Sequence, residues 1–276
     1  MNAIITAFLL SLIAGLGTSI GGLIAVIRRP GPRQYGFLMG VTAGVMISLS
    51  FLELVNEAWE MQGFVTATIG FATGALFMFG LDVTIPHIRF GEEEVTYGTD
   101  SGTNSGLLPR HHGRHRFGRF RNHTVLDQKL LKSGILIAIG ITIHNIPEGI
   151  AVGAGYMHEP AFGIFIALAI LLHNIPEGIA TALPLCKSGV CRWDSFRVAF
   201  LSGLAEPFGA LMAALFLTSF QGFIPGALAF AGGVMVFITL DELIPAAREY
   251  GHHHSTAIGI ITGAIFVFLL SGFFGV

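Results

Sequence analysis

Eight apolar stretches, each about the 20 residues that a membrane-spanning helix needs, run through this chain at Ala3–Ile27, Gly36–Val55, Phe64–His87, Leu131–Tyr156, Ala161–Leu185, Phe196–Leu217, Pro225–Leu243 and Thr256–Phe274. Hydrocarbon offers no water to satisfy backbone N–H and C=O groups, so stretches of this length span as helices whose backbone bonds are all internal. The expectation is an all-α membrane protein of eight transmembrane helices, a single membrane domain over residues 1–276. The bulk composition agrees, with 53% apolar and 12% charged residues and a mean hydropathy of +0.72. The first stretch starts almost at Met1 without a basic leader or a small-residue cleavage site, and reads as a retained span.

All 15 Lys and Arg residues fall on one side of this eight-span arrangement. Arg28, Arg29 and Arg33 lie between spans one and two, and Lys187, Arg192 and Arg197 between five and six; Arg248 follows span seven. The remainder lie in or beside the connection between spans three and four. The alternate connections Asn56–Gly63, Met157–Pro160 and Thr218–Ile224 contain none. By the positive-inside rule the basic loops are cytoplasmic, both termini face outward, and the protein sits as a multi-pass protein in the cell membrane. Residues 89–130 form a polar cytoplasmic loop rich in His and Arg, including His111, His112, His115 and His123. It lacks apolar periodicity and reads as disordered, its histidines either catching metal or belonging to a basic linker. Cys186 and Cys191 flank a cytoplasmic turn, where a structural disulfide is not expected. The net charge of −2 gives no reason to expect nucleic acid, and a homodimer is compatible with the sequence.

The hexapeptide His-Asn-Ile-Pro-Glu-Gly occurs twice, at His144–Gly149 and His173–Gly178, each time mid-span. An ionisable side chain at that depth costs roughly 2.5–3.5 kcal/mol on insertion scales. On a helix His144 and Glu148 are one turn apart, as are His173 and Glu177. Pro147 and Pro176 lack an N–H, so they release the carbonyls of Ile143 and Leu172 beside the polar groups. A short connection makes the two helices antiparallel neighbours, so the motifs face each other near the midplane. Span six adds Glu206, followed by Pro207. Carboxylates packed together without Lys or Arg must be protonated or bind a cation. Imidazole, amide and carboxylate together suit Zn²⁺, Fe²⁺, Mn²⁺ or Co²⁺, whereas a calcium cage would not need His and copper(I) would favour Cys or Met. The bland reading of one motif is a kinked helix whose His and Glu satisfy each other. Two copies at one depth, with a third carboxylate, weigh against it.

Further candidates line a route. Met46, Ser50 and Glu53 share a helical face in span two, with Glu57 and Glu60 beyond the outer mouth. Asp241 and Glu242 end span seven on the cytoplasmic side, and His252, His253 and His254 follow. Together they describe an acidic outer mouth, a midplane site and an acidic, His-rich exit; solvated helix-end charges are the plainer account. Asp82 and His87 read as interfacial.

With the paired motif, Gly203-Leu204-Ala205-Glu206 and Asp241-Glu242-Leu243-Ile244-Pro245, the chain resembles the ZIP family of divalent metal transporters, particularly its compact bacterial members. The resemblance implies uptake of divalent metal, zinc foremost and also Fe²⁺, Mn²⁺, Co²⁺ and Cd²⁺, into the cytoplasm. It also implies a binuclear midplane site and a 3+2+3 arrangement in which spans one to three and six to eight are inverted repeats. No match between those triplets is apparent from the sequence alone. Carried over residue by residue, the ligands fall on His144, Asn145, Glu148, His173, Asn174, Glu177 and Glu206, with Met46, Ser50 and Glu53 as additional candidates. No organic cofactor is implied. The competing readings are an intramembrane metalloenzyme with Glu148 or Glu177 as base, and a proton or sodium carrier using the same acids. The His-x-x-x-Glu spacing differs from that of zincins and of di-iron bundles.

Overall fold

The computed structural model describes residues 3–28, 30–84, 128–249 and 251–276. His87 and the histidines of the 89–130 segment lie outside the described residues. The helices are α1 (Ala3–Arg28), α2 (Pro32–Ser48), α3 (Asn56–Thr84), α4 (Gln128–His158), α5 (Pro160–Lys187), α6 (Arg192–Gly203), α7 (Ala205–Ser219), α8 (Ile224–Ile238), α9 (Ile244–Glu249) and α10 (His253–Phe274). Two π-helical segments, Leu49–Val55 and Thr239–Leu243, join α2 to α3 and α8 to α9. No strand occurs among the described residues.

Seven helical stretches among the described residues are long and apolar enough to cross a membrane. Spans two and three, expected as separate, lie in one 53-residue stretch, Pro32–Thr84. At 1.5 Å per residue that is about 80 Å, more than twice the hydrocarbon thickness of about 30 Å. The stretch breaks at Gly63, whose φ of 85° and ψ of 168° leave the helical region. The expected open connection Asn56–Gly63 is therefore helical up to its last residue. Glu57, Ala58, Glu60, Met61 and Gln62 are all good helix formers, and a glycine supplies the one left-handed φ.

Apolar side chains cannot drive helix association in a membrane, where lipid is as apolar as they are; close backbone contact does so instead. α1 packs along α5 and against α6 and α7, and α4 packs on α5 and α7. In a second group α2 packs on α10, and α3 on α8. Contacts of α4 with α8 and of α2 with α5 join the two groups. The glycine that closes each hexapeptide is demanded by this packing. A Cβ on Gly149 would lie 1.9 Å from Glu206 O, and one on Gly178 would lie 1.9 Å from Thr18 O. Each motif thus carries its own contact surface for the helix on its far side.

Gly178→Ala is expected to lower the melting temperature of the detergent-solubilised protein, by roughly the 1–3 kcal/mol typical of overpacking. Gly80→Ala, where nothing lies within 4 Å of the added carbon, should leave the melting temperature unchanged or slightly raised, since alanine favours the helix over glycine.

Candidate metal-ion site

His144, Asn145, Glu148, His173, Asn174, Glu177 and Glu206 are each at most 2% exposed. α4 and α5 run through Pro147 and Pro176 as helices, so each His and Glu stay one turn apart on the inner face. Yet the shortest pairings cross between the helices. His173 Nε2 lies 2.9 Å from Glu148 Oε1, and His144 Nε2 lies 3.1 Å from Glu177 Oε1. The intrahelical pair His144–Glu148 is longer, at 3.5 Å. Glu148 Oε1 therefore stands between the two imidazoles and links the motifs into a single cluster.

Glu206 stands in the first turn of α7, two residues after Leu204, where α6 meets α7. Its Oε2 accepts from Asn174 Nδ2 at 2.7 Å and its Oε1 from Ser11 Oγ at 3.1 Å. The two asparagines are held alike. Asn145 Nδ2 donates to Ser202 O at 2.9 Å, and Asn174 Nδ2 also donates to Ala14 O at 3.1 Å. Each amide thereby turns its carbonyl the other way.

Several buried atoms of the cluster then have no hydrogen-bond partner among the described residues: His144 Nδ1, His173 Nδ1, Asn145 Oδ1, Asn174 Oδ1, Glu148 Oε2 and Glu177 Oε2. Buried polar groups are seldom left so, and this many in one place points to a ligand that completes them. All can act as metal donors. One atom each of His144, Glu148 and Glu177 lie within 4.8 Å of one another. Donors about 2.0–2.1 Å from a tetrahedral zinc stand about 3.3–3.4 Å apart; the 3.1 and 3.5 Å separations of His144 Nε2 from the two carboxylates bracket that spacing.

The remaining sequence candidates are distributed along the molecule. Met46 is fully buried, and its Sδ accepts from Thr239 Oγ1 at 3.6 Å. Ser50 is fully buried, with its Oγ unpartnered among the described residues. Glu53 is turned toward Ser271 of α10, with Glu57 in electrostatic reach. All three are buried, although Ser50 and Glu53 lie in the π segment Leu49–Val55, whose wider turn departs from the α-helical spacing on which their shared face was expected. Glu242 is buried, with Oε1 unpartnered among the described residues and His144, Glu177, Asp82 and Asp241 within electrostatic reach. Asp241, His252, His253 and His254 are exposed, and His252 lines a shallow surface pocket together with Gly31, Pro32, Arg33 and Gln34 at the start of α2.

Some contributors carried no sequence signal. Ser11, Ala14 and Ser202 sit in plain apolar or small-residue surroundings, and Thr42 Oγ1 donates to His173 O at 3.2 Å. Near the other end of α4, His158 Nε2 meets Glu57 Oε1 at 2.7 Å. His158 stands in a short connection notable beforehand only for lacking basic residues.

The "ZIP Zinc transporter" family profile matches residues 89–271 of this chain. Zinc transporter ZupT of Oceanobacillus iheyensis is 38% identical over 274 residues, covering 95% of this chain and 96% of its own length. ZupT of Nitratidesulfovibrio vulgaris is 38% identical over 94% of both chains. Zinc transporter ZTP29 of Arabidopsis thaliana is 36% identical over 95% of this chain and 92% of its own. The chain belongs to the ZIP family. In this ZIP protein the cluster between α4, α5 and α7 is thus built from both copies of its hexapeptide, and its donor set fits a divalent transition metal as cargo.

Zinc at 100 times its dissociation constant should stabilise the folded protein by about 2.7 kcal/mol, read as a rise in melting temperature. Glu148→Gln, which weakens the link between the imidazoles, should remove most of that rise; an undiminished rise would place the metal elsewhere.

Proposed function

We propose that this ZIP protein carries divalent transition-metal cations, zinc foremost, across the cell membrane into the cytoplasm by alternating access at the α4–α5–α7 site. The observation that carries the reading is the crossed pair His144–Glu177 and His173–Glu148, fully buried in a chain of membrane-capable helices and ringed by unpartnered donors. The same donor chemistry admits Fe²⁺, Mn²⁺, Co²⁺ and Cd²⁺. His144, Glu148, His173 and Glu177 are the core ligands, with Asn145, Asn174 and Glu206 completing space for a second ion. Met46 and Ser50 flank the route.

Eight crossings follow if the Pro32–Thr84 stretch turns back at Gly63, and the basic residues then share the cytoplasmic side. A 3+2+3 arrangement is supported by the packing and by a repeat that becomes visible once the helices are paired. Ile69, Gly70, Thr73, Gly74, Ala75, Phe77 and Phe79 of α3 recur in α10 as Ile258, Gly259, Thr262, Gly263, Ala264, Phe266 and Phe268. The same offset carries Gly44-Val45-Met46, Glu53 and Leu54 onto Gly233-Val234-Met235, Glu242 and Leu243. Both π segments fall within this second match. Exchanging α1 with α6–α7, α2 with α8, α3 with α10 and α4 with α5 carries the main packing pairs onto one another. In an inverted repeat Glu53 and Glu242 become equivalent acids at the outer and inner ends of one route.

An intramembrane metalloenzyme would leave these acids without a task, and the relatives named above are transporters. Liposomes containing only the protein should take up radioactive zinc, with and without a pH gradient. Glu177→Ala and His144→Ala should each abolish uptake in protein that elutes as folded. Wild-type uptake in both would remove the site assignment, and competition by other metals would order the preference.

A further inference from the structure

Thr18 of α1 occupies the place that Glu206 occupies on α7. The offset that carries Gly15-Leu16 onto Gly203-Leu204 carries Thr18 onto Glu206, and the contacts agree. A Cβ on Gly15 would lie 2.4 Å from Gly203 O, and one on Gly203 would lie 2.4 Å from Gly15 O. The α4 motif meets α7 at Glu206 O through Gly149, and the α5 motif meets α1 at Thr18 O through Gly178. Asn145 donates to Ser202 O, and Asn174 donates to the equivalent Ala14 O. One member of the pair is a carboxylate within electrostatic reach of Glu148 and Glu177. The other is a neutral hydroxyl.

That hydroxyl is fully buried, and its Oγ1 has no hydrogen-bond partner among the described residues. A helical threonine ordinarily escapes this by donating to the carbonyl four residues back. Thr142, Thr181, Thr218 and Thr239 all do so here, at 2.6–2.9 Å. For Thr18 the corresponding carbonyl is Ala14 O, which already receives the Asn174 amide. An unsatisfied buried hydroxyl is unfavourable, and valine would fill the same volume without that penalty.

We infer that Thr18 is a cation-contacting residue on the cytoplasmic side of the site, a neutral counterpart of Glu206 that receives the divalent ion as it leaves inward. The inference rests on the transport reading and on α1 running inward. A hydroxyl oxygen is a weak ligand for such an ion, whereas the equivalent carboxylate is a strong one. The ion would thus be held firmly beside Glu206 and loosely beside Thr18, which favours departure over trapping.

Thr18→Val keeps the shape and removes the oxygen. It is expected to melt at or above the wild-type temperature and to keep equilibrium zinc binding while slowing liposome uptake roughly tenfold, the order set by one lost polar contact. Thr18→Ser should restore most of the rate. As a measurement independent of flux, Thr18→Cys is made in a background with Cys186→Ser and Cys191→Ser, and titrated with Cd²⁺. A thiolate-to-cadmium absorption band that the background lacks is expected. Wild-type uptake in Thr18→Val, or no such band in Thr18→Cys, overturns the inference. A band in a protein whose unmodified form moves no metal would leave the contact standing and overturn the transport reading instead.

Discussion

Two imidazole–carboxylate pairs, each crossing from α4 to α5, hold the centre of this molecule together. Burying these groups is costly, and among the described residues none has a lysine or arginine to offset it. Each carboxylate instead leans on the imidazole of the other helix, with Glu148 Oε1 2.9 Å from His173 Nε2 and 3.5 Å from His144 Nε2. Such an arrangement is incomplete as a set of hydrogen bonds, because the second oxygen of Glu148 and of Glu177 and the second nitrogen of each ring stay unpartnered among the described residues. A buried network with this many open valences is poor as a purely structural device. It is well suited to an ion that arrives and leaves.

The surrounding helices serve that centre by coming close. With lipid outside, α1, α4, α5 and α7 gain little from exchanging apolar surfaces, so contact is made backbone to backbone where a hexapeptide glycine leaves room. This closeness lets Ser202 O and Ala14 O receive the two asparagine amides, which fixes where the amide oxygens point. The motif is therefore a unit with several tasks: the histidine and glutamate face the site, the asparagine is aimed by the neighbouring helix, and the glycine admits that helix.

Metal transfer through such a centre requires graded access on both sides. Glu53 and Glu242, matched by the sequence repeat, each lie in a π segment that interrupts regular helical spacing, and in the proposed transport reading they are the acids at the two ends of the route. A pseudo-symmetric scaffold makes outward- and inward-facing arrangements of comparable energy easy to build. Glu206 opposite Thr18 is a departure from that symmetry.

The membrane class, the all-helical architecture and the identity of the central polar residues were legible in the chain itself. Apolar stretches of spanning length admit only helices, and charges repeated at mid-span depth have few bland explanations. The same reading separated spans two and three but placed an open connection where the helix continues to Gly63, since composition does not reveal a single left-handed φ. It gave no hint of the π segment Leu49–Val55 that carries Ser50 and Glu53, because π-helical spacing leaves no signature in a single sequence. Tertiary structure alone decided that the His–Glu pairs cross between helices and that Ser11, Ala14, Ser202 and Thr18 belong around the site. Those relations depend on how helices distant in sequence approach one another, and small residues that permit the approach look alike whether they face lipid, a neighbouring helix or a metal.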